Sequence, residues 1–402
     1  MNTKKIWLSS PHMGGNEEKY INEAFELNWI APVGGNLNQF EEALVKYTAC
    51  GHALALNSGT AALHLGLILL DVQPGDYVIC QSMTFCASAN PVKYLGGIPV
   101  FVDSETDTWN MCPEALERAI QACMDGSIAE KFPEIKGQIQ IFAKKPKAIV
   151  PVHLYGMPAK MKEITDIAKK YDIPVLEDAA EAVGSEYHGQ KCGTFGEIGV
   201  FSFNGNKIIT TSGGGALLSQ NKSHIDRAKF LATQAKENTL HYEHKEIGFN
   251  YRLSNVLAGI GRGQMEVLPE RIQQRRKIHN FYWEALGGIE GITFLKEPEG
   301  HFSNRWLTCV LVDPEKTGGV GRNDIIQHLA EDQIEARPLW KPMHVQESFA
   351  GAPYYGGDIA EKLFDQGLCL PSGSNMTGED LERVVMRLKD CLEVKEGLRK
   401  AV

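Results

Sequence analysis

The chain has 402 residues, enough for two or three domains or for one large α/β unit with a smaller companion. Its composition, 43% hydrophobic and 23% charged, is that of a folded globular protein and excludes a disordered or fibrous class. The formal net charge of −9 argues against nucleic acid or an anionic membrane as main partner, because both require a basic face.

The opening MNTKKIWLSSPHMGG carries lysines but no long apolar run, and no later stretch approaches a membrane span, so a cytoplasmic protein is expected. The nine cysteines are scattered and never form Cys-x-x-Cys, the pattern of reduced thiols. The twelve histidines show no His-Glu-x-x-His spacing, so no metal site is predicted.

In chain order, Ala53 to Leu56 reads as a short buried strand, and Asn57-Ser58-Gly59-Thr60 turns from it into the helical run AALHLGLILL. Further strands are predicted at Tyr77 to Cys80, Pro99 to Asp103, Ala148 to His153 and Pro174 to Glu177, each separated from the next by a helical segment. That alternation is the pattern of a mostly parallel sheet with helices on its faces. Met124 to Lys145 is long for a connection and reads as a surface insertion. A long polar helix follows at roughly Asn255 to Leu286, and GITFL, WLTCVLV, DIIQHLAED and EDLERVVMRLKDCLEV predict a smaller α+β domain. The expected division is a large domain over 1–254 and a small one over 255–402.

Three local patterns carry chemistry. Lys207 follows the apolar strand Gly199-Val200-Phe201 in Ser202-Phe203-Asn204-Gly205-Asn206-Lys207 and precedes three glycines, Gly213 to Gly215. A partly desolvated lysine there is a candidate for a Schiff base, while the plain alternative is a lysine in a turn. The strand Val175-Leu176 ends in Glu177-Asp178, followed by Glu181, where carboxylates face the crevice in which α/β proteins bind ligands. A carboxylate beside a pyridine nitrogen would keep that ring protonated, and Asp178 is the candidate; the alternative is an N-cap for a helix starting at Ala179. The Ser58-Gly59-Thr60 turn at a helix start is an anion site by its free amides, and Phe85, after another strand, is a candidate to stack on a flat ring or a core residue.

These patterns, with LSSPHMGGNEEKYI, NWIAPVGG, LALNSGTAALHL, EDAAEAVGS, FSFNGNKIITTSGGGALL, SNRWL, ARPLWKPMH and CLPSG, resemble the DegT/DnrJ/EryC1/StrS sugar aminotransferases over nearly the whole chain, and within them the UDP-4-amino-sugar transaminases of the bacillosamine pathway. The resemblance implies an α/β protein with the type I aminotransferase fold that uses pyridoxal 5'-phosphate. It makes Lys207 the Schiff-base lysine, Asp178 the partner of the pyridine nitrogen and Phe85 the stacked ring. It puts Gly59, Thr60 and Ser202 at the phosphate and Glu181 on the cofactor face. It further implies a homodimer with shared sites, in which Asn250 and Arg252 of an Asn-x-Arg unit reach the neighbour. His12, Trp29, Asn304, Arg305, Arg337, Trp340 and His344 fall in stretches that surround the nucleotide sugar in such enzymes, and Arg305, Arg337 and Lys341 offer charge to a diphosphate.

The implied reaction transfers an amine from glutamate to C4 of a UDP-linked 4-keto-6-deoxy-N-acetylhexosamine. A 3-keto or dTDP sugar is an alternative substrate. A sugar dehydratase of the same fold would have histidine in place of Lys207. A dinucleotide oxidoreductase is disfavoured because Gly259-Ile-Gly261-Arg-Gly263 lies in a helical stretch far from the first strand. A non-catalytic protein on the same scaffold is the remaining rival.

Overall fold

The computed structural model describes residues 4–131 and 143–400. Eight strands form its main sheet: β1 (His52–Leu56), β2 (Tyr77–Gln81), β3 (Ile98–Val102), β4 (Ala148–Val150), β5 (Leu176–Asp178), β6 (Ile198–Ser202), β7 (Gly215–Ser219) and β8 (Tyr354–Tyr355). Hydrogen bonding gives the runs β1-β7-β6-β5 and β8-β3-β2-β4, and the parallel bridges Ile149–Val175 and Val152–Asp178 join them through β4 and β5. The order is therefore β1-β7-β6-β5-β4-β2-β3-β8. Only β7 runs against its neighbours. This is the mostly parallel α/β sheet that the alternation of apolar runs and helical segments predicts.

The strands form where the sequence is continuously apolar, because helices cover both faces and every residue of β2, β3 and β6 is buried. Parallel pairing brings the carboxyl ends of β1, β2, β5 and β6 to one edge. The turns carrying Ser58, Phe85, Asp178 and Lys207 leave from that edge, as crevices in such sheets require.

The helix Asn255–Leu286 begins where Ser254 Oγ accepts from the Leu257 amide (3.3 Å). Its Gly-x-Gly-x-Gly run is a packing device. A Cβ on Gly259 would meet the Tyr20 backbone at 3.1 Å and one on Gly263 the Glu17 amide at 2.9 Å, so the bare helix admits the helix Glu17–Glu26 against it. No nucleotide fingerprint is involved.

The smaller unit has an antiparallel sheet built from Ile292–Phe294, Thr308–Val312, Gly367–Leu370 and Arg337–Pro338 in that order. The helices Arg322–Glu331 and Gly378–Lys400 pack with it, Leu329, Val384 and Leu388 being fully buried in one cluster with Val310 and Leu368. Packing crosses the boundary expected at 254/255 in three places. Ile6 bridges Ile334 and Ser372 N–H donates to the Leu8 carbonyl (2.8 Å), so the N-terminal segment belongs with the small unit. Tyr354–Tyr355 returns to pair with β3 in the large sheet. The long helix serves both units.

Much of the expected insertion at Met124 to Lys145 lies outside the described residues. At its ends, the helix Pro113–Asp125 runs into it, Lys144 pairs with Asp76, and Lys145 Nζ stands 2.8 Å from Asp172 Oδ2. All nine cysteines are free thiols. Among the described residues no helix is long and apolar enough to cross a membrane.

Candidate active site

Lys207 lies in the loop that leaves β6 and returns as β7. The loop is closed by Phe203 N–H to the Gly214 carbonyl (2.8 Å) and Lys207 N–H to the Asn204 carbonyl (3.0 Å). The lysine side chain is 12% exposed, with Nζ 3.4 Å from Glu181 Oε1 and 4.1 Å above the Trp306 ring. Glu181 also accepts from Tyr155 N–H through Oε2 (2.7 Å). Burial pushes the Glu181 carboxyl upward, and the Lys207 charge is the main influence opposing it.

Asp178 ends β5 and is held at both oxygens. Ser88 Oγ donates to Oδ2 (2.6 Å) and Ala180 N–H to Oδ1 (3.1 Å). Burial raises its carboxyl and the Ser88 hydrogen bond is the strongest counterweight. The alternative of an N-cap is corrected, because only turns follow Asp178 and no α-helix begins at Ala179.

The adjacent Glu177 faces the other side of β5 and has no capacity left for ligands. Its Oε1 accepts from His153 Nε2 (2.7 Å) and Gly193 N–H, and its Oε2 from Phe195 and Gly196 N–H (2.7 and 3.0 Å). His153 Nδ1 in turn accepts from Ala159 N–H (2.9 Å), which fixes the proton on Nε2. With Cys192 this forms a buried cluster of metal-ligand types among the described residues, but its histidine and carboxylate atoms are committed to hydrogen bonds.

The anion end of the site is the start of the helix Gly59–Leu69. Ser58 Oγ accepts from Ala61 N–H (3.0 Å) and the Ser58 carbonyl from Ala62 N–H (3.2 Å), so the Gly59 and Thr60 amides have no acceptor within the helix. Side chains at two neighbouring glycines would fill the cradle. A Cβ on Gly215 would lie 2.5 Å from Gly59 N, and one on Gly59 3.0 Å from Ser202 Cβ.

Gly59, Thr60, Phe85, Asp178, Glu181, Ser202 and Lys207 all line one cavity of about 290 Å³. Phe85 is 53% exposed, which decides against a core role, and its ring centre is 5.7 Å from that of Trp340. An amine, a fixed carboxylate, a free aromatic face and a helix start with unpaired amides are the donor set that pyridoxal phosphate needs. The residues present fit that cofactor.

Other expected residues lie elsewhere. Asn250 is exposed beside the cavity wall, its carbonyl accepting from Asn57 Nδ2 (3.1 Å), and it does not line the cavity. Arg252 is buried within its own chain, bonded to the Glu41 carboxylate and, at 2.7 Å, to the Ala55 carbonyl. Of the expected substrate residues, Trp340 alone is on the cavity.

Asn304 and Arg305 do not line the cavity and turn toward the chain's own backbone. The Asn304 amide is fully buried, donating to the Glu181 and Val183 carbonyls (3.0 Å each) and accepting from Trp306 N–H (2.9 Å). Arg305 donates to the Leu295 carbonyl (2.9 Å) and stands 4.0 Å from Glu297. Asn304 thus braces the turn that carries Glu181 and the amide of Trp306, while Arg305 braces the segment of Leu295 and Glu297. Arg337 is exposed and paired with Glu335 (2.8 Å), while Lys341 is exposed. His344 is locked against Ser82 Oγ (2.6 Å) and stacked on Tyr354 at 3.7 Å. His12 bonds Ser374 Oγ (3.1 Å), and Trp29 lines a separate cavity with Glu23 and Arg262.

Sequence reasoning missed Ser88, Tyr155 and Trp306. Tyr155 has a left-handed φ of 54° and bonds Trp340 N–H through its hydroxyl (2.7 Å) while its own amide holds Glu181. That backbone state costs roughly 1–2 kcal/mol and points to a constrained site. Nothing local marked Tyr155; the hydroxyls of Thr84 and Ser88, four apart beside Phe85, were the one available signal.

The chain matches the model of the DegT/DnrJ/EryC1/StrS aminotransferase family over residues 11–389. It is 51% identical over 401 residues to EpsN of Bacillus subtilis, described as a pyridoxal phosphate-dependent aminotransferase, with 98% of each chain covered. It is 34% identical to the GDP-perosamine synthase of Escherichia coli O157:H7, covering 94% of this chain and 96% of that protein. Among solved structures it resembles Spr1654 of Streptococcus pneumoniae, described as a sugar aminotransferase and captured in its PMP form, with TM-score 0.85, 26% identity and 99% and 100% of the two chains covered.

Proposed function

Since the chain belongs to the DegT/DnrJ/EryC1/StrS aminotransferase family, whose members depend on pyridoxal phosphate, we propose that it moves the amine of glutamate to C4 of a UDP-linked 4-keto-6-deoxy-N-acetylhexosamine, with Lys207 and Asp178 as its catalytic residues. The observation that carries the chemistry is the meeting of Lys207, Asp178 and the Gly59-Thr60 helix start on one cavity.

Bound there, pyridoxal phosphate supplies an electrophilic carbon and an electron-withdrawing ring. The Gly59 and Thr60 amides and the Ser202 hydroxyl would hold its phosphate, and Phe85 would stack on its ring. Asp178 would hold a proton on the ring nitrogen. Lys207 would tether the cofactor and, as a free amine, would take a proton from the substrate Cα and give it back. Glu181, at 3.4 Å, orients the Lys207 ammonium and balances its charge. A general acid-base role of this kind contributes about 10²–10⁴ in rate.

For the acceptor, the likeness to a GDP-perosamine synthase supports a nucleotide-linked sugar and favours GDP as a second reading of the nucleotide. UDP rests on the resemblance of the substrate stretches, now without Asn304 and Arg305. Incubation with glutamate and each 4-keto sugar nucleotide, followed by NMR of the product, tests both. The expected product from the UDP sugar carries an equatorial 4-amine. An axial amine refutes the epimer, turnover of the GDP sugar alone refutes the nucleotide, and turnover of a 3-keto sugar instead refutes the position.

The same reading includes a homodimer in which Asn250 of one subunit reaches the cofactor of the other. Its support is the placement of Asn250 beside the wall, exposed and off its own cavity. Equal mixing of a Lys207→Ala chain with a chain disabled at Asn250 is expected to restore about a quarter of wild-type activity, because half the dimers are mixed and each has one intact site. No recovery despite proven heterodimers would show that each chain completes its own site.

A further inference from the structure

Asp178 is the end of a chain of buried hydroxyls. Thr84 Oγ1 lies 2.7 Å from Ser88 Oγ, and Ser88 Oγ lies 2.6 Å from Asp178 Oδ2; Thr84 and Ser88 are 1% and 2% exposed. Ser88 has one proton. An ionised carboxylate can only accept, so that proton goes to Asp178 and Thr84 must donate to Ser88. The direction of the whole chain, Thr84 to Ser88 to Asp178, is set by the charge at its end.

From this geometry we infer that Ser88 is a positioning residue that keeps the shared proton on the cofactor's ring nitrogen and off Asp178. The inference rests on the reading of Asp178 as the partner of that nitrogen. In a site this buried, an unsolvated carboxylate is a strong base and competes with the nitrogen for the proton. A short bond from Ser88 takes up one lone pair of Oδ2 and lowers that basicity, as the Ala180 amide does at Oδ1. Thr84 strengthens the effect by polarising the Ser88 hydroxyl. With Ser88 removed, Asp178 becomes the better base and the proton moves along the N···H···O contact toward oxygen. The ring then loses positive charge, and proton removal at the substrate Cα slows.

The test is NMR of the holoenzyme loaded with pyridoxal phosphate labelled with ¹⁵N in the ring, for wild type, Ser88→Ala, Ser88→Thr and Asp178→Asn, with circular dichroism as the check on folding. In wild type the nitrogen signal is expected at the position of a protonated pyridine. Ser88→Ala should move it toward the neutral position, with kcat for the glutamate half-reaction down about tenfold and KM unchanged. Ser88→Thr, which restores a hydroxyl, should return the signal toward wild type. A wild-type signal in Ser88→Ala, alongside a moved signal in Asp178→Asn, would overturn the role of Ser88. Equal displacement in Ser88→Ala and Ser88→Thr would overturn it too, by assigning the change to packing. An unmoved signal in Asp178→Asn would instead refute the reading of Asp178 itself.

Discussion

Replacing Lys207 with alanine is expected to abolish turnover while the chain still folds. Two functions leave with one amine, the tether and the proton carrier, and their loss together should cost more than about 10⁴ in rate, the upper end of acid-base catalysis alone. The structural loss is small by comparison. Nζ contributes a 3.4 Å contact to Glu181 and a position over Trp306, but its side chain is packed at a cavity wall with space in front of it. What changes is Glu181. The Lys207 charge is the main influence holding that buried carboxyl down, so without it Glu181 takes up a proton at higher pH and avoids an unpaired buried charge. The measurements are steady-state turnover, circular dichroism and the absorbance of bound cofactor. Sustained multiple turnover by Lys207→Ala without added amine would end the assignment.

The sheet was legible because buried parallel strands are written as short continuous apolar runs. The predicted starts and ends of the strands fall within a residue or two of those in β1 to β3, and the helix Asn255–Leu286 has the predicted bounds. That helix even runs through Pro269, which leaves the Met265 carbonyl without its helical donor, because packing against the helices Glu17–Glu26 and Gly35–Thr48 fixes it from outside. The domain boundary was less legible. A linear reading cannot see that Ile6 pairs with Ile334 or that Tyr354–Tyr355 rejoins β3, since those pairings are decided by distant partners.

The same contrast governs the site. Gly59, Thr60, Phe85, Asp178, Ser202 and Lys207 sit at ends of strands, at starts of helices or in the loops that leave the strands, where local sequence already says which edge of the sheet they occupy. Asn304 and Arg305 carry side chains suited to a sugar or a phosphate, but their targets are the carbonyls of Glu181, Val183 and Leu295. Sequence shows the donors and hides the acceptors. Tyr155 and Trp306 escape for the related reason that aromatic residues in apolar surroundings look alike whether they pack a core or wall a cavity.

Replacing Asp178 with asparagine is expected to slow the proton-transfer half-reaction by about 10²–10³, near 3–4 kcal/mol of transition-state stabilisation, without unfolding the protein. The loss is chemical. A neutral amide cannot hold a cation at the ring nitrogen, so the ring withdraws fewer electrons while the carbanion forms. The fold should tolerate the change because its hydroxyl chain can reverse. Asparagine offers one oxygen, which can face the Ala180 amide, and one NH₂, which can donate to Ser88; Ser88 then turns its own proton toward Thr84 Oγ1. Stability should even rise in the cofactor-free protein. Burial raises the Asp178 carboxyl above its unfolded value, so its ionised form opposes folding at neutral pH, and that penalty fades as pH falls through the raised folded value. Asparagine never carries the charge. Thermal melting of the two cofactor-free proteins should therefore show the variant melting higher at pH 7 and the gap closing as pH falls toward the unfolded carboxyl value near 4. A variant that melts lower at every pH would mean that the carboxylate is part of the structural frame, and wild-type kinetics would remove Asp178 from catalysis.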